Sequence, residues 1–267
     1  MGLTILDAGS RSDYTDVLPE HEIYKKVYDN FYKIVGVQCP DFNGFNFQFS
    51  LNIHHALEVC YLIDQYEVDC FVETGTNMGN TTAFISAMFP DIQIFTCETN
   101  SEYFKIASER LSPYSNVELF HECSSKFLKK DFLNNYKLPF YFLDAHGEGY
   151  WPLKDEIKLI RKGIVCIDDF NINHDGYSWD DWGNVSCDID LLNDLIENGT
   201  QIYTNNPDAD YPYPDMLPEF IWHARDPYIP LSDVRLKTLR HSGRSYYTIG
   251  VNEGYLAANG IFKKYNS

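Results

Sequence analysis

The stretch from Phe71 to Thr82, FVETGTNMGNTT, most constrains what this chain can fold into. It reads as the end of a buried strand, a tight turn with two glycines, and the start of a helix. Val68, Cys70, Phe71 and Val72 form the short apolar strand, and Ala83, Phe84, Ile85, Ala87 and Met88 supply the helix face. A second strand, Ile92 to Cys97, ends on Glu98. In α/β folds, glycines in such a turn let the backbone approach a nucleoside ligand. An acid at the tip of the next strand then accepts hydrogen bonds from the ribose hydroxyls.

The chain alternates strand and helix from about residue 68. Strands are expected near 68–73, 92–97, 116–121, 139–144 and 163–168, and helices near 79–88, 101–111, 124–134 and 151–161. This rhythm implies a parallel sheet with right-handed crossovers. Apolar residues at helical spacing also predict helices over 20–35 (Ile23, Val27, Phe31, Ile34) and 51–66 (Leu51, His55, Ala56, Val59, Leu62, Ile63). These two should flank the cofactor edge, and residues 1–18 read as loosely ordered. The rhythm breaks over 170–235, rich in Asp, Asn, Tyr, Trp and Pro, with one helix expected at 186–197 and a short strand at 201–204. A long irregular insertion of this kind is more often a functional lid than a linker. A last strand is expected over Ser245–Val251. The expected fold is therefore α/β, Rossmann-like and doubly wound. It has a mostly parallel seven-stranded sheet, an N-terminal helical cap (1–67), and a main domain (68–267) carrying the insertion after strand 5.

Composition narrows the partners. A net charge of −18 over 267 residues disfavours nucleic acid and anionic membrane surfaces, which both need a basic face. The seven cysteines form no CxxC pair, and several sit in expected strands, which fits free thiols in a reducing compartment. No signal peptide, myristoylation motif or membrane-spanning stretch is read in the sequence, so a cytoplasmic protein is expected. A small-molecule partner is expected, and a homodimer stays open.

The glycine spacing, E-x-G-x-x-x-G from Glu73, lacks the third glycine of a dinucleotide fingerprint and the Lys-Ser/Thr of a P-loop. It resembles the first motif of the class I methyltransferases, which bind S-adenosylmethionine. The resemblance implies that Glu73, Gly75, Thr76, Asn77, Gly79 and Thr81 of the turn bind the cofactor. Glu98 would hold its ribose, Ser124 would lie near its adenine, and Asp144 would stand beside it.

The fourth strand ends on Asp144 and the fifth on Asp168-Asp169. Neighbouring strands lie about 4.8 Å apart, so these three carboxylates should converge beside the cofactor turn, where a hard divalent ion would relieve their repulsion. Leu143-Asp144-Ala145-His146 followed by Ile167-Asp168-Asp169-Phe170 is similar to the metal-dependent small-molecule O-methyltransferases. The likeness is to the catechol type and, more closely, to the sugar and antibiotic enzymes of the macrocin type and the cephalosporin hydroxylase-like group. It covers roughly residues 68–170 and implies Mg²⁺ or a similar ion on Asp144, Asp168 and Asp169. The chain departs from the catechol type in having Asp169 rather than an amide, and it has no lysine three positions after Asp144.

His146 is the first candidate for the base and His174 the second. The implied activity is methyl transfer to a hydroxyl of a small polar acceptor, such as a sugar or nucleotide-linked metabolite in polysaccharide or natural-product biosynthesis. Three alternatives stand beside it: a metal-independent N- or O-methyltransferase using His146 and Asp144, a non-catalytic cofactor-binding protein, and a nicotinamide oxidoreductase. The last is disfavoured by Glu73. Asp168 and Asp169 could also simply cap the strand-to-loop junction.

Overall fold

The computed structural model describes residues 22–31, 33, 36–40, 45–146, 151–183, 185–207, 242–251, 256 and 261–265. The loosely ordered stretch expected over 1–18 and the lid residues expected over 208–235 lie outside the described residues. The main-sheet strands are β1 (Cys70–Thr74), β2 (Gln93–Glu98), β3 (Val117–His121), β4 (Pro139–Leu143), β5 (Gly163–Ile167), β6 (Tyr203–Asn205), β7 (Ser245–Ile249) and β8 (Phe262–Lys264). The helices are α1 (Glu22–Phe31), α2 (Ile53–Gln65), α3 (Asn80–Met88), α4 (Ser101–Leu111), α5 (Ser124–Phe127), α6 (Leu153–Leu159) and α7 (Ile189–Asn193).

The sheet runs β8-β6-β7-β5-β4-β1-β2-β3. Strands β3, β2, β1, β4 and β5 are parallel, while β7 is antiparallel to both β5 and β6. Among the described residues the sheet has eight strands where seven were expected, because Phe262–Lys264 pairs with β6 at the edge. That strand carries two exposed lysines in three residues, which hides it from a reading based on apolar runs. The order reverses between β1 and β4, and crevices at such a switch point hold the ligand in open α/β sheets.

Alternation along the strands builds two cores. Phe71, Ile94, Phe140, Phe142, Ile164, Cys166 and Tyr246 face α1, α2 and α3. Val72, Cys97, Tyr141, Leu143, Val165, Ile167 and Tyr247 face α5, α6 and α7. The N-terminal helices thus share a hydrophobic layer with the sheet itself. Capping fixes the helix starts: Asn100 Oδ1 accepts from Glu102 N at 2.9 Å and Tyr103 N at 3.1 Å, and Asn52 Oδ1 accepts from His55 N at 3.2 Å. The helix expected over 124–134 is instead the one-turn α5 followed by a 3-10 turn at Asp131–Asn135. The helix expected over 186–197 shrinks to Ile189–Asn193, started by Asp188, whose side chain caps two N–H groups. All seven cysteines are free, and six of them are buried. No helix among the described residues is long and apolar enough to cross a membrane.

Candidate active site

The turn after β1 is built by backbone geometry. Gly75 has φ +83°, and a Cβ there would lie 2.5 Å from the carbonyl oxygen of Asp144, so only glycine lets the β1 and β4 exits pass. Asn77 takes a left-handed φ of 51°, and Gly79, at φ 77°, leads into α3. Thr76 Oγ1 and Thr96 Oγ1 share a hydrogen bond of 2.5 Å. Thr81 Oγ1 accepts from Phe49 N at 3.0 Å, tying the N-terminal segment down. Asn46, from the hairpin formed by Val37–Gln38 and Phe45–Asn46, accepts from Asn80 Nδ2 at 2.7 Å, so this segment lies over the turn.

Two acids serve the turn differently. Glu73 is buried and receives hydrogen bonds from Thr82 Oγ1 and, at 2.7 Å, from Thr96 Oγ1. Burial pushes it up to about 7 against the pull of those two hydroxyls. Its carboxyl therefore has local partners beneath the turn. Glu98 accepts from Asn77 N and Asn100 N, each at 2.7 Å. Burial raises its pKa while these backbone donors hold it down. Thr99 N is a further backbone donor, so these contacts use part of its roughly four lone-pair sites and leave some acceptor capacity. Glu98, Gly75, Cys123, Ser124, Ala145 and His146 line one cleft of about 240 Å³. The cleft joins the glycine turn, the β3 exit that carries the expected adenine neighbour Ser124, and the β4 exit.

At the adjoining exits, Asp144 N donates to Thr74 O at 3.2 Å and Asp168 N to Leu143 O at 3.1 Å, so pairing continues past the strand ends. Asp144, His146 and Asp169 each offer a ligand atom, all within 4.8 Å of one another. His146 bridges two acids: Nε2 lies 3.2 Å from Asp144 Oδ1 and Nδ1 lies 2.7 Å from Asp180 Oδ2. Asp168 turns elsewhere with one oxygen. Its Oδ1 accepts from Asp169 N at 2.9 Å and from Ser242 Oγ at 3.1 Å, and stands 3.8 Å from buried His55 Nδ1. His174 closes its own turn, its Nδ1 accepting from Gly176 N at 3.1 Å, and meets Tyr177 edge-on.

The electrostatics follow from crowding. Burial, and then Asp168 and Asp169, raise Asp144. Burial, then Asp168 and Asp180, push Asp169 up to about 7. Burial would lower His146, but its bond to Asp180 and the nearby Asp169 and Asp168 outweigh that and raise it. Burial raises Asp168 despite Arg244. Two carboxylates and an imidazole nitrogen at this spacing are a donor set that fits a divalent ion.

Two residues of this region escaped the sequence reading. Asp180 lies inside the irregular stretch 170–235, on the segment 177–182, and its pairing with His146 spans 34 positions of chain. Within that segment Tyr177 is buried and Trp179 is exposed. Glu156 is buried under the cleft, and burial pushes it up to about 7 against the neighbouring Ser124 and Thr74 hydroxyls. Its position on α6, one turn into the helix, gives no sign of this in the sequence.

No family model matches the sequence, and no curated protein matches it. Solved structures do resemble the fold. One is described as a caffeoyl-CoA O-methyltransferase from Staphylococcus aureus, with 15% identity, 71% of this chain and 80% of that one covered, and a TM-score of 0.43. The methyltransferase domain of bacterial CtHen1 gives 11%, 74%, 100% and 0.45 in the same order. StiE O-MT gives 15% identity and a TM-score of 0.40, and the match spans 58% of each chain. At such distances these likenesses assign no residue a role.

Proposed function

We propose that this chain is an S-adenosylmethionine-dependent methyltransferase that acts on a hydroxyl of a small polar acceptor, with help from a divalent ion. The acceptor class is a sugar or nucleotide-linked metabolite. One observation carries the reading: a single cleft runs from the Gly75 turn and the Glu98 carboxylate to His146, beside the Asp144 and Asp169 carboxylates. A nucleoside held at one end of it therefore lies next to acid–base groups at the other.

The bound cofactor supplies a methyl group made electrophilic by its sulfonium. A divalent ion on Asp144, Asp169 and His146 or Asp168 would lower the pKa of the acceptor hydroxyl. The chain's own residues do the rest. Glu98 keeps the turn closed through Asn77 and Asn100 and offers free lone pairs to ribose hydroxyls. Gly75 admits the β4 exit close to the turn, which sets the acceptor side against the cofactor side. Ser124 and Cys123 border the far end of the cleft.

A second reading has its own support. Asp180 on Nδ1 orients His146 so that Nε2 can accept the acceptor's proton without an ion. Methyl transfer from isotopically labelled cofactor to a panel of sugars and nucleotide sugars, with and without exhaustive EDTA treatment, separates the two. Loss of activity on chelation, restored by added ion, supports the first reading. Full activity after chelation supports the second. Cofactor binding without turnover on any acceptor supports a non-catalytic protein.

A further inference from the structure

We propose that His146 Nε2 is the third protein donor to the ion, with Asp144 and Asp169, and that Asp180 is the positioning residue that aims it. This rests on the ion-assisted reading above and gives it a donor set and a metal preference. Three acids were expected to hold the ion, yet Asp168 Oδ1 is taken up by Ser242 and the Asp169 N–H. The ring of His146 occupies the third position, its Nε2 on the Asp144 side and its Nδ1 on Asp180. A ligating histidine commonly donates its second N–H to a carboxylate, which fixes both tautomer and ring orientation.

Asp180 is fixed for that task by its backbone. Its N–H donates to Asp169 O at 2.9 Å, and its carbonyl accepts from Cys187 N at 2.9 Å. Two residues before it, Ser178 O accepts from Gly243 N at 3.0 Å, so this segment is tied to the β7 entry as well. A separate observation points to a cation here. Glu156 is 1% exposed, has the Ser124 and Thr74 hydroxyls beside it, and lines one small cavity with His146, Asp168 and Asp180. A buried acid beside His146 favours positive charge there. An imidazole donor shifts preference from Mg²⁺, which favours oxygen, toward ions that accept nitrogen such as Mn²⁺, Fe²⁺ or Co²⁺.

The test loads the full chain with Mn²⁺ and reads both affinity and ¹⁴N modulation by pulsed EPR. The wild type should bind Mn²⁺ more tightly than Mg²⁺ and show nitrogen modulation. His146→Ala and the bulkier His146→Gln should lose the modulation while thermal melts show them folded. Asp180→Asn should weaken Mn²⁺ binding by about 10–100-fold. Retained modulation in the His146 variants overturns the proposal. So does loss of Mn²⁺ binding in Asp168→Asn but not in His146→Ala, which would restore the three-carboxylate set and leave ion assistance standing. A wild type that binds no Mn²⁺ overturns both the donor set and ion assistance, while calorimetry with S-adenosylmethionine decides the cofactor reading separately.

Discussion

Gly75 and the backbone of Asp144 are in such close register that a Cβ on the glycine would sit 2.5 Å from the Asp144 carbonyl oxygen. The glycine turn and the acidic exit of β4 are therefore packed as one junction. Any side chain at 75 must push the two apart, and it must do so at a φ of +83° that disfavours it anyway.

Gly75→Ala should consequently lose both stability and cofactor affinity. The strained φ and the backbone clash together predict a loss of about 1–3 kcal/mol in urea unfolding. An unchanged unfolding midpoint would show that the junction is softer than described.

Glu98→Ala removes the acceptor for Asn77 N and Asn100 N and the group proposed to hold the ribose. Calorimetry should show S-adenosylmethionine binding weaker by about 1.5–3 kcal/mol. Glu98→Gln, which keeps one acceptor oxygen, should lose less. Equal affinities in all three proteins would remove Glu98 from the cofactor site.

The sequence displayed the turn, the acids at the strand ends and the strand–helix rhythm because each is local. Gly75, Glu98, Asp144 and Asp169 declare themselves within a few residues of an apolar strand. What it concealed is long-range. Asp180 reaches His146 across an irregular segment with no periodicity. Arg244 meets Glu58 from 186 positions away, and Glu156 looks like any surface acid on a short helix. Pattern reading also missed β8, since its three residues present too little apolar surface to register.

The Glu58–Arg244 pair is fully buried, with Arg244 Nε and Nη2 donating at 2.8 and 2.9 Å and Tyr246 Oη donating to the same carboxylate at 2.6 Å. Arg244→Met leaves that carboxylate without its cation and should destabilise the chain by about 3–5 kcal/mol. The double variant Glu58→Leu/Arg244→Met should recover most of the loss. Denaturant unfolding of the two proteins measures the difference; equal loss in both would contradict the pairing argument.

Glu73 and Glu156 each titrate near pH 7 in the fold rather than at the ordinary glutamate value of 4.5. The folded state thus binds more protons than the unfolded one between those values. Their contribution to stability is full below pH 4.5 and is lost as pH rises through 7, with a slope of about 1.4 kcal/mol per pH unit for each group. Glu156→Gln and Glu73→Gln should each flatten unfolding free energy across this window. A fall from pH 5 to 7 of equal size in the wild type and in both variants would contradict the assignment.

The cleft between Gly75, Glu98 and Ser124 is the proposed site for S-adenosylmethionine. Equilibrium titration of the full chain with that ligand, beside NAD as the comparison, tests it most directly. Saturable one-to-one binding of S-adenosylmethionine, lost in Gly75→Val, with no binding of NAD, is the expected result. Binding of NAD without binding of S-adenosylmethionine would contradict it.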